Sequence, residues 1–320
     1  MSRIPAGWIN GFCGVLIFSG SLPATRVAVM DLDPLFLTVA RSVIAALLAL
    51  ALLRLFRAPR PSRGDLVSLG IVAGGVVIGF PLLTALALQH VTSAHSIVFV
   101  GLLPLATALF AVVRGGERPR RAFWVFSCLG SMLVVGFALS TGVSVSLRGD
   151  SLMLAAILLC GLGYAEGATL SRKLGGWQVI SWSLVLSLPL MVTLLLMTVP
   201  SNLASVGVPA WIGLAYVSVF SMVIGFIFWY RGLAQGGIAA VGQLQLLQPF
   251  FGLTLSATLL GEDVSPAMLA VTVAVVMCVM FASGVRIQPV HIARFAPRPL
   301  RDAIELRPCK HRSVGRDRCA

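Results

Sequence analysis

The chain has 320 residues, of which 58% are hydrophobic and only 11% charged, with a mean hydropathy of +0.97 and a formal net charge of +13. A soluble domain averages about 25% charged residues, and no water-soluble core of this size hides so much apolar surface, so the composition excludes an ordinary soluble domain and makes lipid the solvent. A charge of +13 would point a soluble protein toward nucleic acid; here the basic residues sit in short loops and a tail, so no nucleic-acid partner is expected.

A bilayer-crossing helix needs roughly 20 mainly apolar residues. In chain order the sequence predicts ten such spans: 7–29, 35–56, 66–88, 92–113, 122–140, 149–170, 177–199, 210–230, 237–260 and 265–286. The runs are long and continuous, unlike the alternating segments of about ten residues in a membrane barrel. The first run reaches Val29 and is followed directly by another span, which argues against a cleaved signal peptide. The fold class expected is an all-α membrane protein.

Orientation follows from the loops. With the N-terminus inside, the inner segments hold 21 Lys and Arg residues, among them Arg54, Arg57, Arg60, Arg63, Arg114, Arg172, Lys173 and Arg231, against Arg26 and Arg148 outside and Arg41 within a span. Cytoplasmic loops carry the excess of Lys and Arg, so both termini are expected in the cytoplasm. A span count wrong by one would destroy this segregation.

An internal repeat lies under the spans. "GLLPLATALFAVVRGGE" (Gly101–Glu117) and "LLQPFFGLTLSATLLGE" (Leu246–Glu262) share a layout, with Pro104 and Pro249 each thirteen residues before Glu117 and Glu262, at an offset of 145. Each segment is the fourth span of its half. Five spans per half is an odd number, so the second half enters the bilayer upside down: two inverted five-helix repeats, 1–145 and 146–286, a layout that builds many transporters. The remainder, 287–320, is a basic, proline-punctuated segment ("QPVHIARFAPRPLRDAIELRPCKHRSVGRDRCA" from Gln288), expected to be disordered and to lie against anionic lipid headgroups.

The ordered set of motifs resembles the EamA family of the drug/metabolite transporter superfamily, over roughly Gly7 to Arg286. The resemblance rests on "LDPLFLTVARSVIAALLAL" (Leu32–Leu50), "LPLATALFAVVRGGE" (Leu103–Glu117), "GDSLMLAAILLCGLGYAEGATLSRKL" (Gly149–Leu174), "FIFWYRGLAQGGIAAVGQLQLLQP" (Phe226–Pro249) and "QPFFGLTLSATLLGE" (Gln248–Glu262). It implies alternating access around a central cavity and a small-molecule cargo, often amino acids or their derivatives and commonly exported, in a bacterial inner membrane. Uptake or exchange of another class, such as nucleotide-like metabolites, is the alternative, and a homo-oligomer stays open. The first-half ending "RGGERPR" departs mildly from the family's apolar-Gly-Glu pattern.

Within the spans, polar residues mark candidate chemistry. A proline frees the carbonyl four residues earlier, so Pro104 and Pro249 are read as helix kinks; Glu117 and Glu262 are read as helix-end caps or anchors. Arg41, expensive within the bilayer, either holds a substrate carboxylate or snorkels and pairs structurally. Glu166 is the proton-carrier candidate, or else an interfacial ion pair with Lys173. His95 is either a pathway residue or, with His90, a polar interface residue. Gln245 and Gln248 share a face with Pro249 and either line the cavity or glue helices, while Gln243 points elsewhere. Trp229 and Tyr230 read as interfacial aromatics, with a cavity role for Trp229 the second option. Gly70–Gly74, Gly75–Gly79 and Gly163–Gly167 carry the close-packing spacing.

No cofactor is expected. Cys13, Cys128, Cys160 and Cys278 sit in apolar runs, and Cys309 and Cys319 with His311 make a poor metal set, so none is assigned. Neither an HExxH nor a GxSxG motif occurs, and "FSGS" (Phe18–Ser21) has no base beside it, which weighs against a membrane-embedded enzyme. No ring of charge suggests a channel.

Overall fold

The structure, a computed structural model, describes residues 6–116, 121–140, 146–200 and 203–283. Glu117 and the basic segment 287–320 lie outside these. Every regular element among the described residues is helical, as it must be where no water is present to satisfy backbone groups. Among the described residues, eight helical stretches are long and apolar enough to cross a membrane.

The first half begins with α1 (Ala6–Ser19) and α2 (Ser21–Val29), broken at Gly20. Helix α3 (Pro34–Leu55) starts where Asp33 accepts hydrogen bonds from the Leu35 and Phe36 amides at 2.8 and 3.1 Å, with Pro34 in the first turn. Both features satisfy or remove amides that a helix start leaves unpaired. Next come α4 (Leu66–Val72), a π segment (Ala73–Gly79) and α5 (Phe80–Ala87), then α6 (Ser93–Val100), α7 (Leu103–Gly115) and α8 (Arg121–Ser140).

The second half repeats this grammar. It runs α9 (Leu147–Leu174), α10 (Gly176–Thr198), α11 (Val208–Ala215), a second π segment (Tyr216–Gly225), α12 (Phe226–Gly236), α13 (Ile238–Gly242), a 3-10 turn (Gln243–Leu247), α14 (Gln248–Leu260) and α15 (Pro266–Ser283). Helices α8 and α15 stand at the positions of the fifth and tenth spans. A π segment interrupts the third span of each half. Pro104 and Pro249 each fall in the first turn of a restarted helix, where a missing amide costs nothing. The span is broken ahead of each proline: Gly101 and Leu102 form a turn in one half, and the 3-10 segment does so in the other. Both restarted helices end on left-handed glycines, Gly116 at φ 65° and Gly261 at φ 62°, a conformation only glycine adopts without strain.

The halves interleave. Helix α3 packs on α10, α1 on α12, α7 on α9 and α8 on α15, so each of these contacts joins one half to the other. Two of the seams are backbone to backbone. A Cβ on Gly75 would come within 2.5 Å of the Leu159 carbonyl, and one on Gly232 within 2.6 Å of the Gly11 amide. Small residues allow this approach, which replaces the absent hydrophobic driving force in lipid with close packing.

Candidate functional site

Elements from both halves surround a narrow cavity of about 30 Å³, room for a water or two. The α1–α2 break contributes Phe18, Ser21 and Thr25, α3 contributes Arg41, α5 contributes Phe80 and Thr84, and α7 contributes Leu103; the second half adds Tyr164, Ser221, Phe226 and Gln248. The helix break at Gly20 and the π segment carrying Ser221 bring those two serines together, with the Ser21 hydroxyl donating to that of Ser221 at 2.8 Å.

Arg41 is the singular group in this lining. Its residue is 6% exposed, its Nη2 donates one long bond of 3.3 Å to the Val217 carbonyl, and its Nε has no hydrogen-bond partner among the described residues. The acids are held elsewhere. Asp65 pairs with Lys173 at 2.6 Å, Asp150 with His95 at 2.8 Å and Glu166 with Arg114 at 2.7 Å. Asp33 caps α3, and Asp31 accepts from the Gly207 amide at 2.9 Å. Glu262 accepts from the Ser93 amide, the Ser93 hydroxyl and the Ala94 amide at 3.1, 2.6 and 2.8 Å.

Gln248 also faces the cavity. Its Nε2 donates to the Phe18 carbonyl at 3.5 Å and its Oε1 has no partner among the described residues. The cavity wall is aromatic: the rings of Phe18 and Phe226 stand 5.0 Å apart edge to face, and Tyr164 stacks on Phe18 at 6.5 Å.

The remaining sequence candidates separate by position. Gln245 is wholly buried behind the lining; its amide has no partner at hydrogen-bond geometry, and the Tyr164 hydroxyl is its polar neighbour. Gln243 is buried too, because the 3-10 turn rotates it inward instead of away. Trp229 and Tyr230, expected at a membrane surface, are both 0% exposed: Trp229 packs on Tyr164 at 5.5 Å, and the Tyr230 hydroxyl donates to the Gly163 carbonyl at 3.0 Å. Their position near a predicted span end misled, since the helix face they occupy is the one turned to α1 and α9. Lys173, expected to pair with Glu166, reaches Asp65 instead, and Arg114 from the neighbouring α7 takes Glu166. Neither Glu166 nor His95 lines the cavity: Glu166 lies at the arginine-rich end of the bundle, and His95 ties α6 to α9 at the other end.

Sequence reasoning missed Ser21, Thr25, Ser221 and the aromatic wall. Hydroxyl residues in an apolar run were the available signal, as in "FSGSLPAT" (Phe18–Thr25). Tyr164, two residues before Glu166, is the lining residue that α9 contributes.

The model of the EamA-like transporter family matches this chain twice, over residues 5–140 and 147–284. The "Uncharacterized transporter YdeK" of Bacillus subtilis (strain 168) is 68% identical over 282 residues, covering 88% of this chain and 98% of that protein. An "Uncharacterized transporter" of Archaeoglobus fulgidus is 25% identical, over 74% of this chain and 83% of its own length. A solved crystal structure superimposes with a TM-score of 0.67 at 19% identity, covering 87% of this chain and 98% of the other, which establishes likeness of fold. The chain belongs to the EamA-like transporter family, a multi-pass membrane protein built of two family repeats.

Proposed function

We propose that this family member is a secondary transporter that exports small metabolites, amino acids or their derivatives, by alternating access between two inverted five-helix halves. The setting is a bacterial inner membrane, with both termini on the arginine-rich, cytoplasmic side. The halves are 1–145 and 146–286, with 287–320 a basic cytoplasmic segment.

One observation carries the reading: a cavity lined from both halves holds a buried arginine with no carboxylate partner among the described residues. A soluble or purely structural bundle has no use for such a group, because an unpaired charge in low dielectric costs several kcal/mol, on the order of 3–5 when a partner is removed. A cargo carboxylate supplies the missing partner through a bidentate bond. Gln248 takes a second polar atom of the cargo, Gln245 and Trp229 support the wall from behind, and His95 at the far mouth belongs to the pathway as a gate. Glu166 serves as proton carrier only if its pair with Arg114 opens during the cycle. The breaks at Pro104 and Pro249 give the fourth and ninth spans jointed segments at the cavity's depth.

The test is reconstitution in sealed vesicles, with a metabolite panel loaded on one side. Protein-dependent, saturable movement of amino acids or derivatives that disappears in Arg41→Gln supports the reading. Movement that proceeds unchanged in that variant ends it, and the sidedness of the gradient that drives transport distinguishes export from uptake.

A further inference from the structure

We infer that the cavity selects cargo of net negative charge: a small organic acid whose amino group is absent or blocked, in preference to a free amino acid or a cation. The inference rests on the transport reading above and narrows its substrate class.

The argument counts charge where water is scarce. A guanidinium stays protonated in proteins, so Arg41 gives the empty cavity one positive charge, with the Val217 carbonyl its one hydrogen-bond partner among the described residues. No described carboxylate lines the cavity, and Asp65, Asp150 and Glu166 are held by Lys173, His95 and Arg114. The cavity as it stands holds a water or two and must widen to take cargo; a monoanion then brings the occupied cavity to neutrality. A zwitterion adds nothing to the sum: its carboxylate pairs with Arg41, and its own ammonium is left as the uncompensated charge, with no carboxylate in the lining to take it. A cation doubles the excess. Burying an ion without its counter-charge is the most expensive of these outcomes.

The neutral groups agree. The unpartnered Gln248 Oε1 is an acceptor suited to a neutral N–H or O–H, such as the amide N–H of an acylated amine. Ser21 and Ser221 already bond each other and add no formal charge. Phe18, Tyr164 and Phe226 form a wall for an apolar or aromatic body.

N-acetylphenylalanine, phenylalanine and phenylalaninamide share one side chain and carry one negative, no net and one positive charge; 3-phenylpropionate is a second anion. Each is tested for binding to the purified full-length protein by thermal shift, and for protein-dependent accumulation in sealed vesicles. The expected result is that both anions bind about tenfold or more tightly than phenylalanine, and that phenylalaninamide does not compete. Arg41→Lys keeps the order, and Arg41→Gln brings anion and zwitterion to within about twofold, since the pairing charge is gone. Phenylalanine bound as well as the anions, or an order unchanged in folded Arg41→Gln, overturns the inference and leaves the transport reading standing. Failure of these compounds, and of a leucine-derived set with the same three charges, to bind or cross overturns the transport reading itself. The comparison on the unmodified protein holds even where Arg41→Gln does not fold.

Discussion

Replacement of Glu262 by alanine tests whether a single carboxylate fastens the two halves. Its oxygens accept from the Ser93 amide, the Ser93 hydroxyl and the Ala94 amide, and the Ser93 hydroxyl oxygen also bonds that of Ser256 at 2.9 Å. Ser93 and Ser256 are wholly buried, so alanine at 262 leaves a buried hydroxyl and two helix-start amides short of their acceptor. A bond to a charged group contributes about 1.5–3 kcal/mol, and loss of a helix cap costs about 0.5–2 kcal/mol. The three bonds share one carboxylate and do not add in full, which gives about 2–4 kcal/mol for Glu262→Ala. Glu262→Gln keeps one acceptor and loses the charge facing the helix dipole, for about 1–2 kcal/mol. At about 2 °C per kcal/mol, the thermal unfolding midpoint in detergent falls by roughly 4–8 °C for alanine and about half that for glutamine. A cycle with Ser93→Ala should show a coupling of about 1 kcal/mol or more. A midpoint unchanged by Glu262→Ala, or effects of the two substitutions that simply add, would refute the clamp.

Arg41→Gln should abolish vesicle transport of a carboxylate cargo while leaving the folded yield and helical content near those of the unmodified chain, read by circular dichroism. Glu166→Gln should abolish transport driven by a pH gradient and spare exchange; equal pH-driven flux in that variant removes Glu166 from the proton path. Gly167→Leu should fail to give folded protein, because even a Cβ there meets the Tyr230 ring at 2.3 Å, an overpacking worth at least about 1–3 kcal/mol; Gly70→Leu, at an exposed glycine whose Cβ would meet no described atom within 4 Å, is the matched control. Gly116→Ala and Gly261→Ala should each destabilise by about 1 kcal/mol, since both glycines hold positive φ at a helix end.

The membrane class, the two-repeat organisation and the family were legible in the sequence because each rests on periodic or repeated features. Apolar run length reports lipid, and the Pro-to-Glu spacing reports duplication. The breaks within spans were not legible: nothing in "AGGVVIG" or "YVSVFSMVIG" distinguishes a π turn from an α turn, because that choice is made by the neighbours each segment packs against. Arg41 stood out as a charge in an apolar run, and its isolation from every described acid needed three dimensions to see. Polar pairing went wrong for Lys173 because sequence spacing reveals partners on the same helix, whereas Asp65 and Arg114 arrive from neighbouring ones. Trp229 was misplaced for a related reason: a helix end in sequence need not be a helix end in water when another helix covers it.

The glycine seams carry a mechanical consequence. Gly75 meets the backbone of α9 at Leu159 and Gly163, and Gly232 and Gly236 meet that of α1 at Gly11 and Gly7. Main chain pressed on main chain leaves no flexible side chain to absorb sliding, so each glued couple travels as a single strut. Each strut takes one member from either copy of the duplicated sequence. Under the proposed alternating access, rearrangement is therefore confined to places where bulky side chains meet, and hinge sites are to be sought there instead of at the glycine seams.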